Sequence, residues 1–118
     1  GRAGEELLCG NGEATMGAGH DIERATALAT QMVARGGLSD AVGPRSVQGR
    51  GTSQALLAKV DSEVERLLRL GLDAAKRALH ANRALHRAVS EALLEQETID
   101  GDTFQSLVKT HGARPVSL

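Results

Sequence analysis

SQALLAKVDSEVERLLRLGLDAAKRALHA (residues 53–81) is the stretch whose reading decides the fold. Leu56, Leu57, Val60, Val64, Leu67, Leu68, Gly71, Ala75, Ala78 and Leu79 recur at three- and four-residue steps, so they line one side of a long helix. Ser53 stands where an N-cap hydroxyl is wanted, and the helix is predicted to run to about Ala81. Lys59/Glu63, Glu65/Arg69 and Asp73/Arg77 alternate in sign at i,i+4 on the opposite side, as on a solvated face.

Downstream, Leu85, Ala88, Val89, Ala92 and Leu93 mark a second helix over Arg83 to Glu95. Thr98-Ile99-Asp100-Gly101 reads as a turn, with Asp100 capping a short last helix that holds Phe104, Leu107 and Val108. The tail from His111 to Leu118 is expected to fray. Upstream, residues 38–52 carry Pro44, several glycines and little apolar content, a loop expected to be mobile around Arg45 to Thr52. Before it, Ile22, Ala25, Leu28, Ala29, Met32 and Val33 give one apolar face to a helix over Asp21 to Arg35, stopped by Gly36-Gly37. Arg2 to Leu8 is a short helical piece that ends at Gly10-Asn11-Gly12. The chain is therefore read as all-α, with a helical hairpin and a short terminal helix over 53–110.

Composition narrows the function. The 118 residues carry a net charge of -1, with 41% hydrophobic and 25% charged residues but one aromatic, Phe104. That balance excludes a dedicated nucleic-acid binder, which needs a basic footprint and, for single strands, stacking platforms. No apolar run reaches the roughly 20 residues of a membrane helix. A core of Leu, Val, Ile and Ala alone is thin for this length, which points to a missing partner or a missing piece of the domain.

Few residues carry chemistry. Cys9 is alone and forms no disulfide or CxxC motif. His20, His80, His86 and His111 include no i,i+4 pair, so HExxH is absent. Gly17-Ala18-Gly19 lacks the strand and third glycine of a dinucleotide loop, and Ser39-Asp40 has no neighbouring His and carries no catalytic weight. Asp21 is the exception. A carboxylate at a helix start, after a glycine-rich loop, has a fixed direction and suits a hard-oxygen zinc ligand beside two His from elsewhere. Asp is also favoured in a first turn for its interaction with the helix dipole alone.

Gly17-Ala18-Gly19-His20-Asp21-Ile22-Glu23-Arg24-Ala25-Thr26 resembles the GA-x-ND-I-x-x-AT segment of FtsH-type ATP-dependent zinc metalloproteases. Gly1 to Leu7 is similar to that family's GGR-x-AEE helix. Gln31-Met32-Val33 and Gly37-Leu38-Ser39-Asp40 through Gly43-Pro44 are similar to its helix end and Gly-Met-Ser turn, and Ala92 to Asp100 to its closing ALL-x-x-ETLD. The resemblance implies the C-terminal part of an all-α, hexameric peptidase domain beneath a membrane-anchored AAA ATPase ring. About 1–37 would then be the metal-site half, 38–52 a mobile loop, and 53–110 the hairpin and last helix.

It further implies zinc held by the two His of an upstream HExxH helix, with ATP in the upstream ATPase domain. The Asp of the family's ND pair falls on Asp21, which makes Asp21 the expected metal ligand. The departures flank it: His20 replaces the Asn, Thr15-Met16 the Ser-Thr, and Gly36 the aromatic before the turn. The implied function is part of a membrane-tethered endopeptidase that degrades unassembled or damaged proteins with zinc-activated water. Its site would be organellar (chloroplast or mitochondrial inner membrane) or the bacterial inner membrane. Without HExxH and the ATPase, these residues alone are expected to be inactive. The alternative is a proteolytically inactive helical module for structure or oligomerisation, derived from the same family.

Overall fold

The computed structural model describes residues 1–10, 12, 14–48 and 51–117. Among them are five α-helices and no strand: α1 (Arg2–Cys9), α2 (Gly19–Ala34), α3 (Gln54–Ala81), α4 (Arg83–Gln96) and α5 (Gly101–His111). A 3₁₀ turn, Met16–Ala18, leads directly into α2. The all-α reading is right, and each expected helix is present within two residues of its bounds. Asn11 of the Gly10–Gly12 stop, Gly49 and Arg50 of the loop, and Leu118 of the tail lie outside the described residues.

The chain divides into two compact units, Gly1–Asp73 and Ala74–Leu118. The core of the first is Val33, Val42 and Val60, surrounded by Ala34, Val47, Leu56, Val64 and Leu67. Three β-branched side chains from α2, the 38–48 segment and α3 thus meet where no aromatic is available. Val42 contributes one of the two most deeply buried side chains, so the segment read as poor in apolar content supplies a third of the core. Its backbone is tied down as well. Val47 N–H donates to the Ala34 carbonyl at 2.6 Å, and Gly43 N–H to that of Ser39 at 2.8 Å. Ser39, itself buried, donates to Glu63 Oε2 on α3 at 2.7 Å.

That bond changes the expected charge pattern of α3. Glu65–Arg69 forms at i,i+4 as its spacing predicts (2.7 Å). Glu63 does not pair with Lys59; its carboxylate takes Ser39 and the i,i+3 neighbour Arg66 (3.1 Å). Glu63 is held below the ordinary glutamate range, by Arg66 first and Ser39 next. The apolar stripe needs a correction too. Gly71 and Ala75 are exposed, while Leu72 is half-buried and Ala74 buried. α3 passes from one unit to the next between Asp73 and Ala74, and the stripe is uncovered at that crossing.

On α2 the apolar face is only half used. Ala29 and Val33 are buried, whereas Ile22, Ala25 and Leu28 are exposed. The first half of that face is the more exposed, with Ile22 at 48% and Leu28 at 59%.

In the second unit α4 and α5 pack together. Asn82 alone separates α3 from α4, and its amide does more than break a helix. Nδ2 donates to the carbonyls of Ala78 (2.8 Å) and Arg114 (2.9 Å), while Oδ1 accepts from Arg114 N–H (2.6 Å). The tail expected to fray is therefore held at Arg114 by an amide that imitates a peptide group. α4 ends in a three-residue turn at Glu97, with φ 62° and Thr98 N–H bonded to the Gln96 carbonyl at 2.7 Å. Such a turn is strained for a residue with a Cβ.

Candidate metal centre

Three pieces of the first unit place Asp21. The first is α1, which begins because Gly1 offers its carbonyl to Glu5 N–H (3.0 Å) and carries Glu5 toward residue 15. The second is the contact Glu5 makes there. Thr15 N–H donates to Glu5 Oε2 at 3.0 Å and Thr15 Oγ1–H to Oε1 at 2.8 Å. Both oxygens of one carboxylate are thus engaged by one residue. These bonds hold the Glu5 carboxyl below the ordinary glutamate range, with the Thr15 backbone N–H as the largest cause and its hydroxyl next. The third piece is the chain from Thr15 onward. Thr15 Oγ1 accepts from Gly17 N–H at 3.0 Å and so caps the 3₁₀ turn. The turn closes through Gly19 N–H to the Met16 carbonyl and becomes α2.

Asp21 sits in the first turn of α2, where no side chain caps the free N–H groups of the helix start. The positive end of the helix dipole favours a carboxylate there. The side chain is 65% exposed, and its Oδ2 lies 3.9 Å from the Gly1 nitrogen. Gly1 leaves room for it: a Cβ on Gly1 would lie 2.5 Å from Asp21 Oδ2 and 3.5 Å from Ala18 Cβ. Gly17 meets a similar demand, since a Cβ there would lie 2.8 Å from Glu5 Oε1.

The departures around Asp21 are placed as follows. His20 is fully in solvent, with Nδ1 3.4 Å from Glu23 Oε2 across one helical turn. Met16 is exposed. At Gly36 a Cβ would lie 2.9 Å from the Met32 carbonyl oxygen and 3.2 Å from Leu38 Cγ. In this chain Leu38 fills the space beside residue 36, and an aromatic there would displace it. Gly37 is required for a different reason. Its φ is 60°, and the Pro44 backbone approaches to within 3.1 Å of where a Cβ would be.

Among the described residues no three His, Cys, Asp or Glu side chains converge as a metal site. Ser39 anchors its loop to Glu63. Cys9 is exposed. Sequence reasoning singled out Asp21 and did not anticipate the Glu5–Thr15 contact. The available signal was Thr15 two residues before Gly17 at a helix entry, a position where a hydroxyl turns back on the backbone.

The Peptidase family M41 profile matches residues 1–107. The chain belongs to that family. It is 39% identical over 115 residues to the ATP-dependent zinc metalloprotease YME1L of Drosophila melanogaster, covering 92% of this chain and 16% of that protein. It is 39% identical over 123 residues to the ATP-dependent zinc metalloprotease FtsH of Lactococcus lactis subsp. lactis, covering 93% and 17%. A third M41-type relative is the ATP-dependent zinc metalloprotease FTSH 9, chloroplastic/mitochondrial, of Oryza sativa subsp. japonica, 38% identical over 115 residues with 98% and 14% covered. The chain therefore spans about a sixth of the length of these relatives.

The donor at this site suits zinc as a single ligand. Asp21 is an exposed hard-oxygen donor in the first turn of a helix.

Proposed function

We propose that this chain is the C-terminal part of the peptidase domain of an ATP-dependent zinc endopeptidase, and that Asp21 is the carboxylate ligand of its zinc. The observation that carries the reading is Asp21 itself, exposed at the start of α2 on a backbone clamped by Glu5. It lies within residues 1–107, the stretch that the Peptidase family M41 profile matches. Bound zinc would supply a water of lowered pKa and polarise a scissile carbonyl. The chain's own part is to present the Asp21 carboxylate from the first turn of α2.

Two further ligands and the ATPase would come from upstream, so residues 1–118 alone hold one donor and are inactive. The working enzyme is a hexamer tethered to a bacterial or organellar inner membrane through upstream sequence, acting on unassembled or damaged proteins. No helix among the described residues is long and apolar enough to cross a membrane. The exposed Ile22 and Leu28 on α2 fit a chain that packs against more of its own domain.

In the full-length protein, degradation of an unfolded substrate should require ATP and stop on zinc chelation. Asp21→Asn should lower the rate at least about 100-fold, comparable to losing a positioned catalytic group. A wild-type protein that binds no zinc and degrades nothing would favour an inactive structural or oligomerisation module.

A further inference from the structure

We propose that the second unit makes a head-to-tail contact between neighbouring copies of this chain: a cationic end, Arg83, Lys109 and Arg114, receives the acidic end of the next subunit, Glu95, Glu97 and Asp102, with Leu94 as its apolar anchor. The inference rests on the hexamer reading and names the surface that would join its subunits.

The charges of the second unit are sorted along the chain. Residues 74–90 carry Lys76, Arg77, Arg83 and Arg87 and no carboxylate. Residues 91–108 carry Glu91, Glu95, Glu97, Asp100 and Asp102 and no Lys or Arg. Residues 109–118 return to Lys109 and Arg114, without a carboxylate side chain. Folding sorts them in space as well. α4 and α5 pack together, and Arg114, just past α5, is bonded back to Asn82 at the start of α4. The two helices are therefore antiparallel. Lys109 and Arg114 join Arg83 at one end, while Glu95, Glu97 and Asp102 gather at the other. About 18 Å of helix separates Arg83 from Glu95. All six residues are exposed. The Arg87–Glu91 pair (3.0 Å) lies at the border between the two ends and leaves these six out.

Neither helix stability nor packing within the unit accounts for this arrangement. α5 follows its dipole, with Asp102 in the first turn and Lys109 and His111 in the last. α4 runs against its own. Arg83 opens the helix, its first turn has no acidic residue and its last turn no basic one. Arg87–Glu91 also places the cation N-terminal to the carboxylate, the less favourable order at i,i+4. Packing does not offset this, because the antiparallel pairing sets like charge beside like at both ends. Charges that oppose both their own helix and its neighbour mark a site where function overrides local stability.

The complement is on the same molecule. The acidic end of one copy matches the cationic end of the next. Because the two ends differ, the contact is heterologous, the kind that closes into a ring when the rotation permits. Leu94, 85% exposed and flanked in sequence by Glu91 and Glu95, supplies an apolar centre with a charged rim, the anatomy of a protein interface. The charges give orientation and salt dependence, and Leu94 gives burial.

The test uses the full-length protein, by sedimentation over a range of concentration and salt, and by zero-length carbodiimide coupling in a mixture of isotope-labelled and unlabelled subunits. In the assembled wild type, Lys109 should couple to Glu95 or Glu97 of a subunit with the other label. Within one chain these groups sit at opposite ends, out of reach of a zero-length reagent. Arg83→Glu with Arg114→Glu, and Glu95→Lys with Glu97→Lys, should each raise the dissociation concentration at least about 10-fold. The thermal melt should hold or rise, since Arg83→Glu and Glu95→Lys bring α4 into accord with its dipole. All four changes in one chain should restore association, because each reversed end then meets a reversed partner. Leu94→Ser should weaken association without changing its salt dependence.

A wild-type assembly that neither couples Lys109 across subunits nor responds to either pair of reversals overturns the proposal and leaves the hexamer reading standing. A full-length wild type that does not self-associate overturns both. If the arginine reversals weaken assembly and the glutamate reversals do not, the cationic end faces some other anionic partner and the head-to-tail contact is refuted. Loss in both pairs without recovery in the four-fold variant refutes it as well.

Discussion

The two units of this chain are held together in different ways. In Gly1–Asp73, three valines are buried from three separate segments, and the segments between them are fastened by side chains that reach across many residues. Glu5 reaches Thr15 ten residues away, and Ser39 reaches Glu63 twenty-four away. In Ala74–Leu118, Ala74 is the buried hydrophobic residue, Leu94 and Phe104 are exposed, and α4 and α5 contain no buried residue. Its fastenings include the Asp100 cap, the Arg87–Glu91 pair at 3.0 Å, and the Asn82 clamp on Arg114. The unit that carries Asp21 is the one whose loops are pinned from a distance.

The largest expected effect breaks the first unit alone. Val33→Asp places a charge in a fully enclosed position and should destabilise that unit by at least about 4 kcal/mol. Hydrogen exchange should show protection lost across α2 and the start of α3, with α4 and α5 amides unchanged. Equal loss in both units would mean that they do not differ as described.

Asn82→Ala tests the second unit. It removes three hydrogen bonds and leaves Arg114 to solvent, for a cost of about 1–2 kcal/mol. The Arg114 amide should then exchange at the rate of an unstructured chain. An unchanged rate would show that the tail is held by something else.

A smaller effect follows from Asp100, whose carboxyl is held below the ordinary aspartate range by its bonds to Thr103. The folded form therefore binds its proton less readily than the unfolded chain does. The cap's contribution is present above the unfolded value and is lost as pH falls through the lowered one, in the region below about pH 4. The helical signal of α5 should decline there, and Asp100→Asn should flatten that part of the profile. A profile identical in the variant would remove Asp100 from the account.

The sequence was most legible where structure is local. Ser53 does accept from Leu56 N–H (3.2 Å), and Asp100 Oδ1 does accept from Thr103 N–H (2.7 Å), as their places before helices predict. Apolar spacing located every helix. It erred where burial depends on what lies opposite: Gly71, Ala75, Ile22 and Leu28 have the right period and are exposed. Val42 was hidden for the converse reason, since it belongs to no helical or strand period in its glycine-rich loop. Asp21 was singled out by resemblance and by helix position, and its place in the first turn of α2 was legible. Glu5 was not, because a bond between residues 5 and 15 arises from the fold and leaves no spacing rule in the chain.

The central claim is that Asp21 holds the zinc of a peptidase site. Metal analysis of the purified full-length protein tests it most directly. The account expects near one zinc per subunit in the wild type and a large loss in Asp21→Asn with the helical content retained. Full zinc occupancy in folded Asp21→Asn would contradict it.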